Sequence, residues 1–465
     1  MEETNVLQEE NFLGTEKIGK LLLKFSIPGI VSMLVNSIYN LVDQIFIGQG
    51  VGYLGNGATN VTFLFVILCL AVALLISGGG AANMSLNLGR GDRDTAERVI
   101  GNAIVLAVSA GIIILVIGEV FNTPLLRLFG ATDAILPYAV DYSRIYIIGI
   151  PFTTMGIVMN DIIRADGNPA FSMITMLAGC ITNIVLDYIF VFPLQMGVQG
   201  AALATIIGQI LTFVMAILYM PRRLRTVSVR KKNLRLNGEI CGKIFSLGVS
   251  AAVNQITMLI VQIILNQSII RYGAMSKFGA DIPITVFGIV MKVNQIMMSV
   301  IMGICGATQP LFGYNYGANK LKRVKSIFKM TTLVTFIIGL LGMACLQLFP
   351  EQIVSIFGQE NELYNEFAVT CFHVMTVFIF VMGFQILSSI YFQSVGKAKN
   401  AIVLSLSRQF MFLLPCILIL PLFFGIYGIM ASYPVSDVLA LILTIVLVVR
   451  ESGRINKAIA AGCND

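Results

Sequence analysis

The chain has 465 residues, 57% of them apolar and only 12% charged, with a net charge of +7. Soluble globular chains are about 25% charged, so this one has too little charge to clothe a water-exposed surface of its length. Composition therefore excludes a soluble multidomain enzyme and makes lipid the solvent for most of the chain.

The start, MEETNVLQEE, is acidic and lacks a basic leader segment, which argues against a cleaved signal peptide. A helix needs about 20 mostly apolar residues to cross a bilayer. Twelve runs qualify, at 23–47, 58–83, 99–121, 134–160, 170–192, 197–219, 243–270, 283–308, 326–348, 363–392, 400–420 and 425–449. The predicted fold class is an all-α membrane protein. With the N-terminus placed in the cytoplasm, 25 of the 31 basic residues fall in cytoplasmic segments, and only Arg127, Arg271 and Lys277 fall outside. That asymmetry predicts that both termini are cytoplasmic. Arg144, Lys292 and Arg408 lie within spans.

The one long basic connector, 220–242, separates two sets of six helices. The expected organisation is a cytoplasmic segment 1–22, a lobe 23–219, the linker 220–242, a second lobe 243–449 and a tail 450–465. The linker reads as an inside loop beside anionic lipid and needs no nucleic-acid partner. KFSIP at 24–28 matches IFSLG at 244–248, and GAANMSLNLGRG at 80–91 matches GATQPLFGYNYG at 306–317. RADGNP at 164–169 matches QSVGKA at 393–398, and GVQGAALA at 197–204 matches GIYGIMAS at 425–432. Four matches in order at offsets of 220 to 229 indicate a duplicated six-helix unit. Six is even, so the copies insert with the same orientation and relate by a pseudo-twofold axis along the membrane normal.

Ionisable groups in hydrocarbon cost about 2.5–3.5 kcal/mol each, so their presence there points to function. Asp43 lies near the outer end of helix 1, and Asn183 and Asp187 share a face of helix 5 at i, i+4. Thr205 enters helix 6 at a comparable depth. Two carboxyl groups close together in low dielectric cannot both keep an uncompensated charge. A proton must bind, or a monovalent cation must sit between them. The cluster is thus a candidate H⁺ or Na⁺ site, with Na⁺ falling to Asp43, Asn183 and Asp187. Asp141 and Arg144, spaced i, i+3, read as a local ion pair, and Asp161 and Arg164 read as interfacial groups at the cytoplasmic mouth of helix 4. Lys292, His373, Arg408 and Asp437 are either mutual pairs or cavity groups. Pro28 lies fifteen residues before Asp43 and offers a kink below it.

The chain contains no Walker A motif, G-x-S-x-G or H-E-x-x-H, which argues against an enzyme and against ATP as energy source. The eight cysteines, mostly inside apolar runs, form no C-x-x-C pair. They read as small core residues rather than disulfides or metal ligands.

Several stretches resemble the multidrug and toxic compound extrusion (MATE) family, nearest its MepA-like and DinF-like bacterial branch. They are GTEKIGKLLLKFSIP at 14–28, IYNLVDQIFIGQGVGYLGNGATN at 38–60, RADGNP at 164–169, NIVLDYIFVF at 183–192 and GVQGAALAT at 197–205. The resemblance covers essentially the whole chain. It implies twelve helices in two lobes and export of hydrophobic, often cationic compounds by H⁺ or Na⁺ antiport. By the same resemblance Asp43, Asn183, Asp187 and Thr205 couple the cation, while Pro28, Tyr39, Tyr142 and Asn160 belong to the substrate cavity or its gating. One branch of the family also carries acids in helices 7 and 10. Here helix 7 offers Asn254, Gln255 and Gln262, and helix 10 offers His373, so coupling is expected in the first lobe.

The reading is therefore a multi-pass plasma-membrane exporter working by alternating access. It is expected to be monomeric, surrounded by lipid, and without a cofactor beyond the coupling ion. The competing readings are a flippase for lipid-linked oligosaccharides from the same superfamily and a membrane-embedded enzyme or receptor. The first of these would favour an arginine-lined cavity, and the spans hold few cations.

Overall fold

Apolar segments of this length can satisfy their backbone in hydrocarbon only as helices or closed barrels. In the computed structural model, which describes residues 12–224, 226–228, 231–279, 281–357 and 362–461, they are helices. The acidic start 1–11, Arg225, Arg230 and Cys463 lie outside the described residues. The first six helices are α1 (Ile18–Gly50), α2 (Tyr53–Gly89), α3 (Arg93–Val120), α4 (Leu136–Ala165), α5 (Pro169–Val191) and α6 (Gly197–Arg223). The second six are α7 (Gly238–Ala274), α8 (Asp281–Ala307, continued as Gln309–Gly317), α9 (Leu321–Leu348), α10 (Glu362–Met375 and Ile379–Ser394), α11 (Ala398–Phe424) and α12 (Ile426–Ala460). These are the twelve expected spans, most of them longer than expected, by as much as eleven residues at the end of α12.

Local chemistry sets many of those ends. Asp92 caps α3 by accepting from Thr95 N at 3.0 Å. Asn168 caps α5 from Phe171 N at 3.2 Å, with Pro169 in the first turn, where it loses no helical bond. Gly167 precedes that cap at φ +94°, a conformation that only glycine adopts freely. Asn237 caps α7 from two backbone amides.

Two features depart from the expectation. The run 363–392 is two helices meeting at 44°, not one. Gln347 of α9 supplies the break with a partner by donating to the His373 carbonyl and to Thr376 Oγ1. The linker is also shorter than 220–242, because α6 extends to Arg223 and α7 begins at Gly238. What remains is fastened to the first lobe. Glu97 accepts from Ser228 N and Oγ and from Asn233, Asp166 accepts from Thr226, and Asn102 bonds Asn237 N.

Within the first lobe α5 packs on α6, α4 on α6, and α2 on α4. The lobes meet chiefly along two crossings, α1 with α8 and α2 with α7, and α2 also packs on the Gln309–Gly317 continuation of α8. The internal repeat makes α7 the counterpart of α1 and α8 that of α2, so these two crossings are counterparts as well. Each closes backbone on backbone. A Cβ on Gly29 would strike the Gly303 carbonyl, and one on Gly79 the Ile244 carbonyl. A Cβ on Gly248 would strike the Leu75 carbonyl. All of these glycines lie in the half of the bundle that carries Ile18 and Ala460, here called the terminal end. The hydrophobic cluster there mixes Leu21, Leu22 and Phe25 of α1 with Ile301, Phe312 and Phe392 of the second lobe. The terminal half of α1 is therefore shared between the lobes.

Candidate functional site

The site is built inside the first lobe, toward the far end. Gly179 and Gly208 let α5 and α6 approach closely, since a Cβ on Gly208 would lie 2.6 Å from the Gly179 carbonyl and 3.2 Å from Asn183 Cβ. That approach lets Asn183 Nδ2 donate to Thr205 Oγ1 at 3.2 Å. On the same face of α5, one turn on, Asp187 lies beside Asp43 of α1, near enough for the two carboxyl groups to interact directly. All four residues are buried, Asp187 to 1% exposure and Asp43 to 9%.

Asp43 Oδ1, both Asp187 carboxyl oxygens and Asn183 Oδ1 are buried without a hydrogen-bond partner among the described residues. Four such acceptors are costly to bury unless something positive or protonated meets them. No ion pair among the described residues reaches either carboxyl, whereas in the second lobe Arg408 pairs with the buried Asp437 at 2.6 Å. The donor set is hard oxygen, which fits a proton or a small monovalent cation. Among the described residues there is no group of three or more His, Cys, Asp or Glu side chains placed to hold a metal.

Tyr39 and Tyr142 stand within electrostatic reach of both carboxyls. Tyr142 stacks on Tyr146, with ring centroids 6.2 Å apart and planes 11° from parallel. Tyr146 in turn meets Gln209, whose Oε1 also accepts from Thr153 Oγ1. Phe46 packs edge-on against Tyr188 and Phe192, one turn beyond the carboxyl pair. Six of the eight sequence-predicted residues thus converge: Asp43, Asn183, Asp187, Thr205, Tyr39 and Tyr142.

The other two lie elsewhere. Asn160, buried on α4, accepts from Thr175 Oγ1 at 2.5 Å and ties α4 to α5, some 27 Å along the helix from Tyr142 at 1.5 Å per residue. Pro28 sits inside an unbroken α1, beside the Gly29–Gly303 crossing. Tyr146 and Gln209 escaped the sequence reading, although each stands four residues from a chosen one, on the same helix face.

The remaining intramembrane charges sort themselves. Asp161 and Arg164 pair at 2.5 Å. Asp141 and Arg144 are both exposed and form no ion pair with each other among the described residues, so the spacing misled there. The Arg408–Asp437 pair is joined by Gln385, which donates to the Asp437 carbonyl. Arg408 lies on a π-helical segment, Ser407–Leu413, a rare departure from α geometry. His373 is exposed, with Nε2 3.1 Å from the Gln347 carbonyl, and Lys292 is exposed.

Comparison with known proteins adds four likenesses. The sequence model of one family, MatE, matches residues 28–189 and 250–419. The multidrug export protein MepA of Staphylococcus aureus (strain bovine RF122 / ET3-1) is 25% identical over 95% of this chain and 96% of its own. Among solved structures, the MATE multidrug transporter DinF-BH, solved in complex with a ligand, is 36% identical, covers 94% of this chain and 96% of its own, and superposes with a TM-score of 0.87. An outward-facing multidrug resistance MATE transporter of the MOP superfamily shares 23% identity over 96% of this chain and 98% of its own, with a TM-score of 0.89.

Proposed function

The chain belongs to the MATE family of multidrug export transporters, and from that premise we propose that it expels hydrophobic, often cationic compounds in exchange for H⁺ or Na⁺ by alternating access. It is a multi-pass membrane transporter and not an enzyme. The observation that carries the coupling step is the buried contact of Asp43 with Asp187, which no ion pair among the described residues compensates. A cation entering from the far end neutralises the pair, and Asn183, Thr205 and Tyr142 hold it in place.

In this reading both termini face the cytoplasm of the plasma membrane, and the working unit is a monomer in lipid. The closed terminal end then corresponds to an outward-open state. Substrate binds when that end opens, and the cation favours the state that releases it. Exchange requires that substrate and cation stabilise different states. The membrane potential adds about 2.3 kcal/mol per charge per 100 mV to an inward-moving cation. Tyr39 and the Tyr142–Tyr146 stack connect the ion site to the cavity wall, while Pro28 and Asn160 act on the moving parts of α1 and α4.

The test is transport of a fluorescent cation by the purified protein in liposomes, with pH and sodium gradients imposed separately. Uphill movement driven by one gradient supports the reading and identifies the ion. Equal, purely downhill movement under both removes it.

A further inference from the structure

Beyond the terminal seal the facing sides of α1, α2, α7 and α8 carry exposed residues, among them Asn40, Leu68, Gln262 and Gln295, and the gap this exposure marks between the lobes has a wall that the coupling site does not use. On α8, Gly303 touches Gly29 and Ile30 of the first lobe, and Ser299 Oγ lies 2.6 Å from Ser37 Oγ. Those contacts identify the face of α8 that looks at the first lobe. Steps of three and four residues carry the same face toward the far end through Gln295, Lys292 and Gly288, all exposed. Lys292 therefore projects into the gap about 10 Å beyond the Ser37–Ser299 contact, at 1.5 Å per residue.

The other walls can be read in the same way. From Gly248, the face of α7 continues to Gln255, Gln262 and Asn266. From Gly79, the face of α2 continues to Val72 and Leu68, and α2 carries no charged residue. From Ser37, the face of α1 continues to Asn40 and Gln44, while Asp43 turns inward to Asp187. Between the terminal seal and the mouth, Lys292 is the charged side chain on these four faces. Asp281 shares its face but stands at the mouth, about 16 Å away along the helix. Among the described residues no carboxylate forms an ion pair with Lys292, whereas the other second-lobe cation at mid-depth, Arg408, is neutralised by Asp437. The gap thus presents an apolar wall from α2, amides from α1 and α7, and one uncompensated ammonium.

We propose that Lys292 recognises an anionic group, so that the transported amphiphiles carry a carboxylate or a group of like charge, alone or beside a cation. The apolar body lies on the α2 wall and the anion meets the ammonium. This deepens the export reading and rests on it for the identification of the gap as the substrate path. Lysine suits the role because its three donors rotate to meet a carboxylate and its charge strengthens each hydrogen bond.

The test uses a xanthene dye with a free carboxylate and the ethyl ester of the same dye. Their Kd values are measured by fluorescence polarisation on the full chain in nanodiscs, with no ion gradient. Wild type is expected to bind the carboxylate about tenfold tighter than the ester, a difference of ~1.4 kcal/mol. Lys292→Gln should abolish that ratio, Lys292→Arg should keep it, and Lys292→Glu should invert it. Because the ratio is taken within one preparation, partial misfolding of a variant does not affect it. Equal or tighter binding of the ester by wild type, no binding of the carboxylate dye, or an unchanged ratio in Lys292→Gln would overturn the proposal. Ion coupling can fail its own gradient test while this ratio stands, so the two failures are distinguishable.

Discussion

Asp43 of α1 and Asp187 of α5 bring their carboxyl groups together in the interior of the first lobe. Beside them stand an amide, a threonine hydroxyl and two tyrosines. Neither helix could host such a group alone at low cost. The two become a site because α5 is held against α6 by the Gly179–Gly208 crossing while α1 packs along α5. Helix packing therefore decides what the carboxylates can do.

The Asn183–Thr205 bond is part of that support. Thr205→Val leaves a buried amide donor without its partner, at a cost of about 1–3 kcal/mol. Thermal unfolding in detergent should show the loss, and ion-driven efflux should fall with it. Thr205→Ser restores the hydroxyl and should recover both. Equal behaviour of the valine and serine variants would show that the bond is not used.

The glycine crossings predict a conformational phenotype. Gly248→Leu puts a side chain where the Leu75 carbonyl lies, so the terminal end cannot close. Spin labels on the terminal ends of α3 and α9 should then report a longer separation than in wild type. An unchanged distance distribution would show that the crossing gives way without parting.

The second-lobe ion pair makes a stability prediction. Arg408→Leu leaves Asp437, which is 2% exposed, without its partner and should destabilise the protein by about 3–5 kcal/mol. Removing both charges, with Arg408→Leu and Asp437→Leu together, should recover most of that loss in a thermal melt. A double variant less stable than the single one would mean that the pair stabilises the lobe outright.

The linker clamp is testable by proteolysis. Glu97 is 7% exposed and accepts three hydrogen bonds from Ser228 and Asn233. Glu97→Ala frees that stretch, and trypsin should cut faster at Lys232 and Arg235 than in wild type. Unchanged cleavage would place the restraint on Asp166 and Asn102 alone.

Much of this architecture was legible in the residues. The twelve spans follow from apolar length, and the caps at Asp92 and Asn168 follow from residue type. Asp187 and Asn183 could be placed on one face because helical spacing is rigid. The break in α10 was not legible, because the group that stabilises it, Gln347, lies on another helix. Tyr146 and Gln209 were hidden for a related reason. A tyrosine or glutamine in an apolar run has no visible partner until α4 and α6 are packed. The gap-facing position of Lys292 needed the Ser37–Ser299 contact to orient α8.

The most direct measurement compares wild type with Asp43→Asn, Asp187→Asn and the double variant, reconstituted in liposomes under the gradient that drives efflux. If the carboxyls act as one ion site, each single variant falls to the rate of empty liposomes and the double variant is no slower, since groups that work as a unit are not additive. Ion-driven efflux at the wild-type rate in either single variant would contradict the account.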